Sequence, residues 1–155
     1  SLVQPAIDGF CELLQSVLYQ FNRLSGEEQT RQMLRRSNDE FPKVVDYLYD
    51  HFDEFKLLFT SGENNAYQEF IHRVVELDTG CTSQYIEASG NDAISSGRLT
   101  PELNHLLSSA FYTGMFEVVI HNMPKEQAMK HIQKMRRFYT AGWQTIFSSN
   151  GGEDC

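Results

Sequence analysis

Residues 100–147 read TPELNHLLSSAFYTGMFEVVIHNMPKEQAMKHIQKMRRFYTAGWQTIF. Thr100-Pro101 is an N-cap residue followed by proline at the first helical position, where a missing N–H removes no hydrogen bond. Met123-Pro124 opens a second helix. In that second helix Ala128, Ile132, Met135, Tyr139, Gly142 and Ile146 recur at alternating spacings of four and three, the heptad arithmetic of a bundle seam. Leu103, Leu107, Ala110 and Gly114 keep the same register in the first. Phe111, Met115, Phe116, Val119, Phe138 and Trp143 lie beside the seams and make both apolar faces wider than one partner helix covers. The pattern predicts long helices over about 101–122 and 124–147 with a second bundle contact, for which a symmetric copy is the simplest source. Gly114 and Gly142 would then let backbones cross closely, at about 1 kcal/mol each relative to Ala. A monomeric antiparallel bundle, with Gly142 a mere irregularity, fits the same pattern.

Outward from this pair the chain reads as helix throughout. Apolar positions 7, 10, 11, 14, 18, 21 and 24 recur at three- and four-residue intervals after Pro5, and Gly26 marks the following break. Ser25 with Glu28 forms a capping box for a short helix to about Arg36. Asp39 and Pro42 open a third helix, whose Val44, Tyr47, Leu48, Phe52, Phe55, Leu58 and Phe59 make one broad aromatic face. The polar stretch TSGENN at 60–65 ends it. A further helix is predicted from Ala66 to Ile86, with Gly80 inside it, and 87–100 leaves room for a short pair of helical turns. The expectation is an all-α domain over 1–147 and a flexible tail over 148–155.

Composition narrows the function. A chain of 155 residues with 41% hydrophobic and 12% aromatic content can bury a core without disulfides or metals as staples. A formal charge of −8, with no long Lys/Arg block, offers no footprint for a phosphate backbone, so the chain by itself is not expected to bind nucleic acid. Cys11, Cys81 and Cys155 are odd in number and widely spaced, which suits a reducing, cytoplasmic compartment. There is no signal-peptide pattern and no run of 18 apolar residues, so no membrane association is expected. A start at Ser1 close to a helix is read as a piece of a longer protein.

No phosphate loop, HExxH, CxxC, GxSxG or EF-hand pattern is present, and no enzyme activity or cofactor is expected. His72 with Glu76 and Glu117 with His121 each stand four apart, so each pair presents two polar groups on one helix face. They could hold a zinc or iron ion where two such faces meet, or act as polar anchors in a ligand cavity, or be ordinary surface pairs. The aromatic face from Tyr47 to Phe59, opposed by Phe70, Tyr85, Phe111 and Tyr112, could line an apolar cavity or simply form the core. The cavity bet on geometry comprises Phe52, Phe55, Phe59, His72, Glu76, Tyr85, Phe111 and His121.

The paired terminal helices, HLLSSAFYTGMFEVVIHNMPKEQAMKHIQKMRRFYTAGWQTIF at 105–147, resemble the carboxy-terminal end of the TetR/AcrR family of bacterial transcriptional regulators. YLYDHFDEFKLLFTSGENNAYQEFIHRVVELDTGCTSQYI at 47–86 is similar to that family's central stretch, and the Phe138, Gly142, Trp143 pattern is the most specific piece. The resemblance implies a helical effector-binding domain whose last two helices form an intersubunit four-helix bundle. By position it draws dimer residues from Leu103, Leu107, Phe111, Gly114 and Val118, and from Ile132, Met135, Tyr139, Gly142, Trp143 and Ile146. It implies a homodimer, an unidentified and partly apolar small-molecule effector, and transcriptional control, usually repression. DNA would be bound only through an amino-terminal helix-turn-helix domain, which this sequence lacks. A structural or protein-interaction bundle without ligand, or a His/Glu metal-binding bundle, are the alternatives.

Overall fold

The computed structural model describes residues 2–35, 39–62 and 65–148, with the backbone alone for 33–35. The expected helix end at Arg36, the tail beyond Ser148 and Cys155 lie outside these residues. The described residues form seven helices and no strand: α1 (Gln4–Asn22), α2 (Gly26–Arg35), α3 (Pro42–Asp50), α4 (Phe52–Thr60), α5 (Ala66–Ser89), α6 (Pro101–Ile120) and α7 (Lys125–Phe147). None of them is long and apolar enough to cross a membrane.

Local signals explain most boundaries. Thr100 caps α6 by accepting from the Leu103 N–H at 3.1 Å, and Ser25 accepts from the Glu28 N–H at 3.2 Å. Gly90 ends α5 at φ +68°, a left-handed conformation that glycine adopts without a Cβ penalty. The third expected helix is corrected: it breaks at His51 (φ −119°, ψ +38°) into α3 and α4. The two pieces both touch α1 but otherwise serve different neighbours, α3 packing on α7 while α4 packs on α5 and α6. Asp53 and Glu54 in the first turn of α4 suit the positive end of the new helix.

α5 is the central helix, with α1 and α6 packed along it. Phe10 of α1 is fully buried, and the rings of Tyr47, Phe55, Phe70 and Phe116 surround it at centroid distances of 6.3, 5.7, 5.3 and 5.8 Å, all edge-on. Two glycines permit close approaches. A Cβ on Gly9 would stand 2.1 Å from the Tyr47 hydroxyl, and one on Gly26 would stand 2.4 Å from the Ala88 carbonyl oxygen. α2 therefore lies directly against the end of α5.

Candidate pairing face and ligand cleft

The inner surface of α6 buries Asn104, Ser108, Tyr112, Met115, Phe116 and Val119. Along its flank Phe111 meets Tyr139 of α7 edge-on at 5.3 Å, and a Cβ on Gly114 would come 3.1 Å from the Met135 methyl. α7 buries Ala128 and Ile132 in the main core. Its last turns dock elsewhere: Trp143, Ile146 and Phe147, with Leu103 of α6, pack on a second small cluster of Tyr85, Ile86, Ala93 and Leu99. The 91–98 loop fastens that end, with Asn91 Nδ2 donating to the Phe147 carbonyl at 2.9 Å and Arg98 Nε donating to the Ile146 carbonyl at 2.7 Å. These donors satisfy carbonyls that a helix C-terminus leaves without intrahelical partners. Arg98 is itself held by Asp92.

The inward series on α7 thus runs Tyr139, Trp143, Ile146, and Gly142 lies outside it. A straight helix drifts by about 20° per heptad against a strict seven-residue repeat, so over two heptads the inward stripe turns by about 40°, away from Gly142 and toward Trp143. A Cβ on Gly142 would meet nothing within 4 Å. Beside it Phe138 is 75% exposed, and on α6 Leu106 is 63% exposed next to the exposed Ala110. Of the sequence-derived dimer residues, Val118 and Ile132 belong to the main core, while Leu103, Leu107, Phe111, Gly114, Met135, Tyr139, Trp143 and Ile146 are partly exposed. Leu106 escaped the sequence reading because it stands one position off the seam.

The expected cavity residues are dispersed. Phe55 and Phe59 sit in the aromatic core, where Phe59 stacks on Phe116 at 4.8 Å. Phe52 is half-buried against Tyr49, and Phe111 contacts Phe41, Tyr112 and Tyr139. His72 and Glu76 form a 3.7 Å pair on the exposed side of α5, each 69% exposed. His121 and Glu117 form a 2.7 Å pair on the exposed side of α6. Among the described residues no three His, Cys, Asp or Glu side chains are grouped to hold a metal ion.

Tyr85 alone of the eight lines a cleft of about 410 Å³, together with Thr30, Ser89, Asn91, Gln144, Phe147 and Ser148. The Thr30 hydroxyl donates to the Gly26 carbonyl at 3.0 Å, so in its 2.9 Å contact with Tyr85 the phenol is the donor.

Sequence reasoning also passed over a polar layer between α5 and α6. Asp78 accepts hydrogen bonds from Ser108 Oγ at 2.9 Å and Tyr112 Oη at 3.0 Å. Burial pushes its carboxyl above the ordinary aspartate range, against the two hydroxyls that favour the anion. Asn104, one turn before Ser108, donates to the Thr79 carbonyl at 3.4 Å and leaves its buried Oδ1 without a partner among the described residues. Burial raises the Cys81 thiol to about 12, which keeps it an unreactive thiol. The available signal was Asp78 itself, a carboxylate interrupting the apolar series Ile71, Val74, Val75, Cys81, Tyr85.

No protein-family model matches the chain, and comparison with curated proteins and with solved structures found no match.

Proposed function

We propose that this all-α chain is the effector-binding and dimerising domain of a TetR/AcrR-like transcriptional regulator, without catalytic activity. The observation that carries the reading is the outer face of α6 and α7, where Leu106 and Phe138 project beside the small residues Ala110, Ala141 and Gly142. Large side chains next to small ones make a face that a two-fold copy of itself can fill, with Phe138 as the knob and the glycine as the hollow. Two α6–α7 pairs would then make a four-helix bundle. DNA would be bound by a separate helix-turn-helix domain. Control would follow if a small molecule had different affinities for two arrangements of the paired domains. A cytoplasmic location belongs to the same reading.

A second reading, a pairing bundle that holds no small molecule, draws on the close ring packing around Phe10. Sedimentation velocity and native mass spectrometry of the wild-type chain and of Phe138→Glu test the proposal. A wild-type dimer that Phe138→Glu converts to a folded monomer is expected. A wild-type chain that stays monomeric at high micromolar concentration would overturn the pairing, and a dimer that never carries or acquires a small molecule would favour the second reading.

A further inference from the structure

The cleft between the start of α2, the end of α5 and the last turn of α7 has an unusual lining. Among the seven described residues that line it there is no carboxylate, ammonium, guanidinium or imidazole, in a chain whose formal charge is −8. A charged ligand would find no counter-charge among these described residues, and a wholly apolar one would strand their polar groups. What suits it is a neutral molecule with both an apolar face and hydrogen-bonding atoms.

The hydrogen-bonding capacity still open in the cleft narrows the class further. Asn91 is committed, its Nδ2 to the Phe147 carbonyl and its Oδ1 to the Ala93 N–H at 2.8 Å. Tyr85 donates to Thr30, which leaves its oxygen able to accept. Ser89 holds the Ile86 carbonyl only at 3.4 Å. The Gln144 side-chain amide, half-buried in the last turns of α7, makes no hydrogen bond to another described residue, so its donor and its acceptor are both available. The apolar wall is the edge-to-face pair Tyr85 and Phe147, with centroids 5.0 Å apart. The cleft is shallow and open to solvent, with about 410 Å³ of space for a small molecule.

We propose that this cleft binds a small, neutral aromatic amide or a heterocycle with an amide-like edge. Its ring lies against Tyr85 and Phe147, and its donor–acceptor edge pairs with the Gln144 amide. The inference names a site and a ligand class for the effector in the reading above and rests on that reading. It also links ligand to pairing, because Gln144 and Phe147 stand on the helix that carries Phe138.

Trp143 supplies the readout: it is the only tryptophan in the chain and stacks on Phe147 with centroids 5.5 Å apart. The whole chain would be titrated with benzamide, with benzoate and cyclohexanecarboxamide as controls. Trp143 fluorescence and the Gln144 side-chain amide signal in two-dimensional NMR would be followed. Benzamide is expected to move both saturably, with benzoate and cyclohexanecarboxamide weaker. Gln144→Leu is expected to weaken benzamide by about tenfold, the worth of one lost hydrogen bond pair, with an unchanged melting temperature. Benzamide that leaves both signals unmoved up to its solubility, or that binds Gln144→Leu equally well, would overturn the site. Saturable shifts confined to the aromatic core around Phe10 would overturn the cleft while leaving an effector-binding domain standing; a monomer with no bound species in native mass spectrometry would remove that reading itself.

Discussion

Both sides of α6 carry large apolar side chains, but they are covered differently. The inner face, with Tyr112, Met115, Phe116 and Val119, meets α4 and α5 and is fully covered. The outer face, continued on α7, sets Leu106 and Phe138 among small residues and is covered by nothing among the described residues. Hydrophobicity by itself does not separate them: what differs is whether another helix of the same chain reaches them. An inner apolar side chain contributes to folding, whereas an outer one contributes only when a second molecule arrives.

The largest expected effect is on the inner side. Phe10→Ala removes the ring at the centre of four aromatic contacts and should cost about 3–5 kcal/mol in urea unfolding. Leu106→Ala on the outer side should change the stability of a dilute monomer by no more than about 0.5 kcal/mol. Equal losses for the two would break the comparison. Glycines sharpen it next. Gly26→Ala forces a methyl against the Ala88 carbonyl, a backbone atom that cannot swing away, and should destabilise by about 1–3 kcal/mol. Gly142→Leu should raise the thermal midpoint of a dilute monomer, because a mid-helix glycine with free space around it costs about 1 kcal/mol, and yet raise the dimer dissociation constant, read by sedimentation equilibrium; an unaltered dissociation constant would remove Gly142 from the pairing face.

Asp78 tests the α5–α6 interface from a different direction. Its folded pKa is raised above the unfolded value of about 3.9, so the native state holds the proton more tightly than the unfolded one. The stabilising contribution of its protonated form is complete below about pH 4 and is lost as pH rises through the folded pKa. Asp8 and Asp92, held below the ordinary carboxylate range by Arg73 and Arg98, act in the opposite sense, so the quantity to measure is a difference. Melts of wild type and Asp78→Asn across pH 4–7 should diverge as pH rises, with the wild type losing ground; parallel curves would mean that the carboxyl is well solvated. A small effect is also expected at the exposed ion pairs. His72→Ala with His121→Ala should shift stability by less than about 1 kcal/mol, and added zinc should shift neither the parent nor the double variant.

Helix content was legible because it is written in local chemistry. Thr100-Pro101, Ser25 with Glu28, and apolar residues every three or four positions each act within a turn or two of backbone. The break at His51 was not, because the uninterrupted aromatic face from Tyr47 to Phe59 suits a single helix equally well until two different neighbours must be reached. The candidate site was legible only in part. Tyr85 was named among the cavity residues, but its partners Thr30, Asn91, Gln144 and Phe147 come from distant segments, and small polar residues carry no periodic signal.

By itself the sequence determined that this chain is helical, where most helices start and stop, and that its last two helices carry more apolar surface than one partner covers. Only the tertiary structure decided which part of that surface is spent inside the molecule. Trp143 turned inward, Gly142 and Phe138 stayed outside, and His72, Glu76, Glu117 and His121 came to lie on the surface. The physical reason is that a helix of 3.6 residues per turn repeats apolar positions on a broad stripe, and the sequence specifies the stripe but not its centre. That centre is chosen by the shapes of the helices that pack against it.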